Sequence, residues 1–155
     1  MQSAARFFFS QPTFAVAGAS SSPHKFGHKI FAWYLAHDLP AVPVNPTISS
    51  VEVRGKHFDT IASVSELKDP VHSALSVITP PPVTAKLLQE AKEAGVRAVW
   101  LQPGAFTEKE LEYAVQHFPG GAVGGFEECT VGAEGWCVLV DGEAAMTAAE
   151  RAEKL

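Results

Sequence analysis

Three times in this chain a short apolar run stops at a turn and a helical pattern begins. Phe14–Ala17 gives way to Gly18, and then Phe26, Ile30, Phe31, Tyr34 and Leu35 recur at helical spacing, which predicts a helix from Lys25 to about Ala36. Ser73–Ile78 is followed by Thr79-Pro80-Pro81-Pro82 and by Val83, Leu87, Leu88 and Ala91, a helix that Gly95 ends. Ala98–Leu101 is followed by Gln102-Pro103-Gly104. There Thr107-x-x-Glu110 has capping-box spacing, and the helix it opens carries Leu111, Ala114, Val115 and Phe118 before Pro119 stops it. A fourth apolar run, Ala41–Val44, closes at Asn45-Pro46. Strands that alternate with helices build a parallel sheet covered on both faces. The expectation is an α/β chain with a three-layer, doubly wound, mostly parallel five-stranded sheet, Ala122–Gly125 being the fifth strand.

The remaining segments carry weaker signals. Thr47 to Asp59 reads as a loop with a short extended piece at Lys56–Phe58, and Ser63-x-x-Glu66 as the cap of a short helix at Ser65–Leu67. Trp136–Val140 reads as a further strand or a loop, and Glu143–Leu155 as a terminal helix. Met1 to Phe9 holds one arginine, three phenylalanines and no acid. It reads as a first helix packed by Phe7 and Phe8, the alternative being a very short transit peptide.

A chain of 155 residues with 46% apolar and 19% charged residues fits one globular domain over 1–155 with a sizeable core. No apolar run approaches the roughly 20 residues of a membrane helix. Two cysteines, Cys129 and Cys137, form neither a disulfide framework nor a zinc signature, so a reducing compartment is expected: cytoplasmic, with a mitochondrial location as the alternative. The net charge of −5 is unevenly spread. Residues 1–57 hold five Lys/Arg against two acids, and residues 58–155 hold seven against fifteen. An acidic protein with one basic end argues against nucleic acid and suits a small polyanion bound near the first strand.

Doubly wound sheets bind ligands at the carboxyl ends of their strands, where strand order reverses. Those ends read Gly18-Ala19-Ser20, Asn45-Pro46, Thr79-Pro80-Pro81, Gln102-Pro103-Gly104 and Gly125 to Cys129. At the first of them Gly18 permits a tight turn, Ser20, Ser21 and Ser22 offer hydroxyl donors, and Lys25 adds a charge-assisted contact at a helix N-terminus. The turn suits a phosphate, yet it lacks G-x-G-x-x-G. Ser20 stands where a dinucleotide site needs its second glycine, and Asn45 where it needs an acid for the ribose. Asp38 has the right distance from Gly18 but precedes the second strand, and reads as a surface turn residue. A plain NAD site is therefore disfavoured.

The ordered set Gly18-Ala19-Ser20-x-x-Pro23-x-Lys25-x-Gly27, Val42-Pro-Val-Asn45-Pro46, Gly55, Pro80-Pro81 and Val99-Trp100-Leu-Gln102-x-Gly104 resembles the small stand-alone CoA-binding proteins. Their fold is similar to the N-terminal domain of the succinyl-CoA synthetase alpha subunit. The resemblance runs from about Phe14 to Cys129 and implies a Rossmann-like domain that binds CoA or an acyl-CoA. It implies that the pyrophosphate lies on Gly18, Ser20, Ser21, Ser22 and Lys25, with Ala19 and Gly27 completing the turn. It sets Asn45 and Pro46 beside the adenosine, and Thr79, Pro80, Pro81, Gln102 and Gly104 along the channel. The last third departs from this pattern: Glu127-Glu128 precede Cys129 where many relatives carry an arginine, which argues against phosphate contacts there. The extension after Cys129 is not explained by the match.

Cys129 is either a cleft residue facing the CoA thiol or an inert buried thiol, and the acids beside it favour the second reading. His24 and His28 are spaced to share a helix face, but no third metal ligand accompanies them, and no metal is expected. His72 and His117 read as surface residues, and Trp33, Trp100 and Trp136 as core. No nucleophile–base pair, P-loop or G-x-S-x-G is present, so no catalytic residue is assigned. Three functions follow. The first is a non-catalytic CoA carrier, sensor or regulatory module. The second is an NAD(P)-binding oxidoreductase or redox sensor of the same fold. The third is a protein-interaction subunit whose cleft takes no nucleotide. A homodimer or another protein partner stays open; a membrane partner is not expected.

Overall fold

The computed structural model describes residues 2–125 and 136–154. Helix α1 (Gln2–Phe9) leads into β1 (Thr13–Ala17), α2 (Phe26–Ala36) and β2 (Ala41–Val44). An antiparallel pair, β3 (Ser50–Val53) and β4 (Lys56–Asp59), precedes two short 3-10 turns. Then come β5 (Ser73–Val77), α3 (Pro81–Ala94), β6 (Ala98–Leu101), α4 (Glu108–His117), β7 (Ala122–Val123) and α5 (Val138–Glu153). The main sheet has the order β2-β1-β5-β6-β7, all parallel. The chain moves outward from β1 to β2, then returns past β1 to β5. The strand order therefore reverses between β1 and β5, and a crevice opens at their carboxyl ends.

Alternation along each strand divides the core between two faces. Phe14 and Val16 of β1, Ala74 of β5 and Trp100 of β6 pack with α1, α2 and α5. Ala15, Ala17, Leu75, Val77, Val99 and Leu101 pack with α3 and α4. On the first face Phe8 and Phe9 are buried against Phe14 and Trp100, with ring centroids 5.5–5.9 Å apart. The buried partner of Phe8 is thus Phe9, and Phe7 lies at the margin under Arg97.

Three expectations need correction. Thr47 to Asp59 is not a loop with one extended piece but carries a hairpin. Its Arg54-Gly55 turn has φ of 51° and 78°, the two positive values of a type I′ turn. Val51 and Val53 are buried, and the Phe58 ring meets Phe31 edge-on at 5.4 Å. Second, Val138–Val140 belongs to α5, which begins five residues before Glu143. The reason is tertiary: Gln102 Oε1 accepts from the Val138 N–H at 3.0 Å, and Trp100 Nε1 donates to the Trp136 carbonyl at 3.1 Å. Two buried bonds, one from β6 and one from the residue that follows it, thus fix the start of the helix. Third, the capped turn at Ser63 spans Val64–Glu66 as a 3-10 turn, although the capping box itself is present. The proposed strand end from Gly125 to Cys129 falls largely outside the described residues, as do Glu127, Glu128 and Cys129.

Candidate functional site

The crevice at the reversal point is an open cleft of ≈ 580 Å³. Its walls are the turn after β1 (Gly18, Ala19, Ser20), the start of α2 (Lys25, Phe26, Gly27), the end of β2 (Asn45, Thr47, Ile48) and the end of β5 (Ile78, Thr79, Pro80). Of the fourteen residues singled out in the sequence, eight line it directly: Gly18, Ala19, Ser20, Lys25, Gly27, Asn45, Thr79 and Pro80. Thr47, Ile48, Phe26 and Ile78 line it as well and were not singled out. Thr47 and Ile48 follow Asn45-Pro46 directly, so chain adjacency was the available signal.

Close packing sets the geometry of the turn. Gly18 has φ +95°, and a Cβ there would lie 2.7 Å from the Ile78 carbonyl oxygen. The glycine is thus demanded by the end of β5, not by room for a ligand. Gly27, in the first turn of α2, would place a Cβ 2.0 Å from the Gly18 carbonyl oxygen. The two glycines let the helix start directly on the strand end, which brings its N-terminus to the crevice.

Hydrogen bonds hold the turn from several sides. Ser20 Oγ accepts from the Ser22 N–H at 3.1 Å, closing a serine turn. Ser21 Oγ accepts from the Glu52 N–H at 2.9 Å and ties the turn to the hairpin. Asn45 Nδ2 donates to the Ala19 carbonyl at 3.4 Å, while Asn45 Oδ1 accepts from Thr47 N–H and Oγ1 at 2.9 Å each. Ser21 and Ser22 therefore shape the turn without lining the cleft. His28, in α2, hydrogen-bonds the Ser20 carbonyl through Nδ1, whereas exposed His24 precedes the helix, so the two do not share a helix face.

The two helices that start at the cleft differ as electrostatic surfaces. Lys25 is the N-cap of α2, no side chain caps the helix, and its first turn holds no acid. The N–H groups of Phe26 and Gly27 have no partner among the described residues. These donors, the helix dipole and one lysine favour an anion. At α3 the N-cap is Pro80, followed by Pro81 and Pro82, so its opening positions offer no N–H at all. Val83 and Thr84 already donate to the Pro80 carbonyl, both at 2.9 Å, and Thr79 and Thr84 hydroxyls bond each other at 2.8 Å. One wall is therefore cationic and rich in donors; the other is stiff and apolar.

Pro46, Pro81, Gln102 and Gly104 are not in the cleft wall. Gln102 is fully buried: Nε2 donates to Ser76 Oγ at 3.0 Å while Oε1 holds the Val138 N–H. Gly104 serves a turn with φ +87° in open space. A second cavity of ≈ 460 Å³ lies at the opposite ends of the strands, lined by Thr13, Ala41, Val42, Ile61, Leu67 and Ser73 among others. The side chains of Thr13 and Ser73 there are bonded to each other and to backbone carbonyls, which leaves a mainly apolar hollow. No helix among the described residues is long and apolar enough to cross a membrane.

Over 102 residues the chain is 29% identical to the alpha subunit of acetate–CoA ligase (ADP-forming) I from Pyrococcus furiosus. That match takes in 64% of this chain but only 22% of the ligase subunit, so the chain spans less than a quarter of that relative. Among solved structures, a conserved hypothetical protein from Pyrococcus furiosus is 32% identical with a TM-score of 0.61, covering 71% of this chain and 90% of its own. A Thermus thermophilus protein has a TM-score of 0.70 at 26% identity, covering 94% and 98%. Residues 12–130 match the profile of the CoA binding domain. The chain belongs to that family of CoA-binding domains.

Proposed function

We propose that the cleft binds coenzyme A or an acyl-CoA and that the chain acts as a non-catalytic carrier, sensor or regulatory module. The observation that carries this reading is the uncapped start of α2, with Lys25 as its N-cap, at the point where strand order reverses. A pyrophosphate there accepts from the free N–H groups of Phe26 and Gly27, from the Ser20 hydroxyl and from Lys25. The adenosine end lies towards Asn45, Thr47 and half-exposed Ile48. The pantetheine arm, which carries no phosphate, follows the Ile78-Thr79-Pro80 wall, where Pro80 has no N–H and the Thr79 hydroxyl is already bonded to Thr84. When bound, CoA supplies the thiol on which acyl groups travel. This chain's residues hold its charged middle and leave the thiol end beside a wall without a paired nucleophile and base among the described residues.

Titration calorimetry with CoA, acetyl-CoA, NAD and NADP tests the proposal. Saturable heat with CoA and acetyl-CoA, much weaker with either nicotinamide dinucleotide, is the expected result. No heat with CoA at millimolar concentration, alongside a clear NAD signal, would overturn it.

A further inference from the structure

We infer that His28 is a positioning residue for the anion-binding turn: it locks the Ser20–Ser21 peptide so that its carbonyl points at the helix and its N–H points away. The inference rests on the proposed nucleotide site and assigns a role to a residue outside its walls. His28 Nδ1 lies 2.9 Å from the Ser20 carbonyl oxygen, eight residues back along the chain. A carbonyl only accepts, so Nδ1 carries the proton. The peptide is trans, as are all in the described chain, so the Ser21 N–H stands on the opposite side of the same plane. Asn45 does the same to the preceding peptide through the Ala19 carbonyl, at a longer 3.4 Å. The N–H groups of Ser20 and Ser21 have no partner among the described residues. The neighbouring Ser22 N–H is already held by Ser20 Oγ. Two side chains thus hold the two carbonyls of the turn and leave the two amides free.

Without His28 the Ser20–Ser21 peptide is free to rotate. Rotation displaces Ser20, which lines the cleft, and shifts its hydroxyl and N–H relative to the anion. The histidine therefore acts on phosphate affinity through the turn, without touching the ligand. The length of the side chain matters as well as its donor. An asparagine at position 28 carries an N–H at the same bond distance from the backbone as Nδ1, whereas leucine carries none.

Three variants read this out by calorimetry with CoA, with ADP and with phosphate-free pantetheine. His28→Leu is expected to weaken CoA and ADP about tenfold, the scale of one hydrogen bond. It should leave pantetheine unchanged. His28→Asn is expected to recover CoA to within about threefold of the parent, and His28→Gln, whose N–H sits one atom further out, is expected to recover less. Nitrogen NMR of the unaltered protein above the imidazole titration range should show the proton on Nδ1 of His28. Equal CoA affinity in the parent and His28→Leu would overturn the inference, and so would a proton on Nε2, which can be measured even where a variant does not fold. Failure of the parent itself to bind CoA or ADP, with the Nδ1 proton in place, would count against the nucleotide site instead.

Discussion

Gly27→Ala tests how the site is built. In an isolated helix this change would stabilise by about 1 kcal/mol, because alanine is the better helix former. Here the added Cβ would stand 2.0 Å from the Gly18 carbonyl oxygen and 3.0 Å from its carbon. Ordinary contact begins near 3.4 Å, and both opposing atoms are backbone, so no side-chain rotation relieves the overlap. The start of α2 must lift from β1 by more than about 1 Å. Overpacking of this kind costs about 1–3 kcal/mol, and a rigid opponent puts it at or beyond the upper end. The net expectation is a loss of about 2 kcal/mol, or a Tm lower by about 4–8 °C in a chain of this size. The same lift carries the Phe26 and Gly27 N–H groups out of hydrogen-bonding range of a phosphate, so CoA affinity should fall at least tenfold. Gly121→Ala is the matched control. Its Cβ would stand 2.0 Å from the Arg97 carbonyl oxygen, at the far end of the sheet from the cleft. It should destabilise at least as much and leave the CoA affinity of the folded protein unchanged. Urea denaturation and calorimetry on both variants decide the matter. Undiminished stability in Gly27→Ala refutes the packing argument, and undiminished CoA affinity refutes the placement of the anion at α2.

Other substitutions separate the site from its scaffold. Ser20→Asp keeps an oxygen able to accept from the Ser22 N–H, so Tm should change by no more than about 3 °C. The new charge beside a bound pyrophosphate should weaken CoA by about a hundredfold, the equivalent of about 3 kcal/mol in calorimetry. Gln102→Leu leaves Ser76 and the Val138 N–H without their partner and should cost about 2–4 kcal/mol in urea denaturation. CoA affinity should change by less than about threefold if Gln102 braces α5 and does not line the channel. The Tyr34 hydroxyl is buried, faces the Ser76 side chain without a well-formed hydrogen bond among the described residues, and burial pushes its pKa up while Ser76 opposes that rise. Tyr34→Phe should therefore change stability by no more than about 1 kcal/mol in either direction, as read by urea denaturation. The hydrogen bond from Thr107 holds the Glu110 carboxyl below its ordinary value, so its ionisation stabilises the fold above the unfolded pKa. That contribution is lost as pH falls through the lower folded value, and the stability gap between the parent and Glu110→Gln should close on acidification below about pH 4.5.

The sheet was legible because its strands are short apolar runs bounded by glycine, proline or asparagine. Ala41–Val44 and Ala98–Leu101 fall where the sequence reading put them. The hairpin was not legible, because Ser50-Val-Glu-Val alternates over only four residues and its turn has arginine where asparagine or aspartate gives the usual signal. The start of α5 was hidden for a different reason. Val138-Leu139-Val140 has strand-like chemistry, and what makes it helical is a pair of bonds from residues 36 positions away. The turn at Gly18–Gly27 could be recognised as a phosphate site, but the reason for its glycines could not. Both answer to backbone that only the folded sheet and helix bring close. Gln102 sits in a motif yet turns inward, because its partners Ser76 and Val138 lie on other elements. His28 drew notice as half of a histidine pair, and its bond to the Ser20 carbonyl appears only once the turn folds back on the helix.

The most direct measurement is the chemical-shift response of the backbone amides to CoA. The predicted result is a cluster of saturable shifts at Ser20, Ser21, Phe26 and Gly27, extending to Thr47, Ile48 and Thr79, with little change elsewhere. Shifts confined to Thr13, Ala41, Ile61 and Leu67, around the cavity at the opposite ends of the strands, would contradict the account.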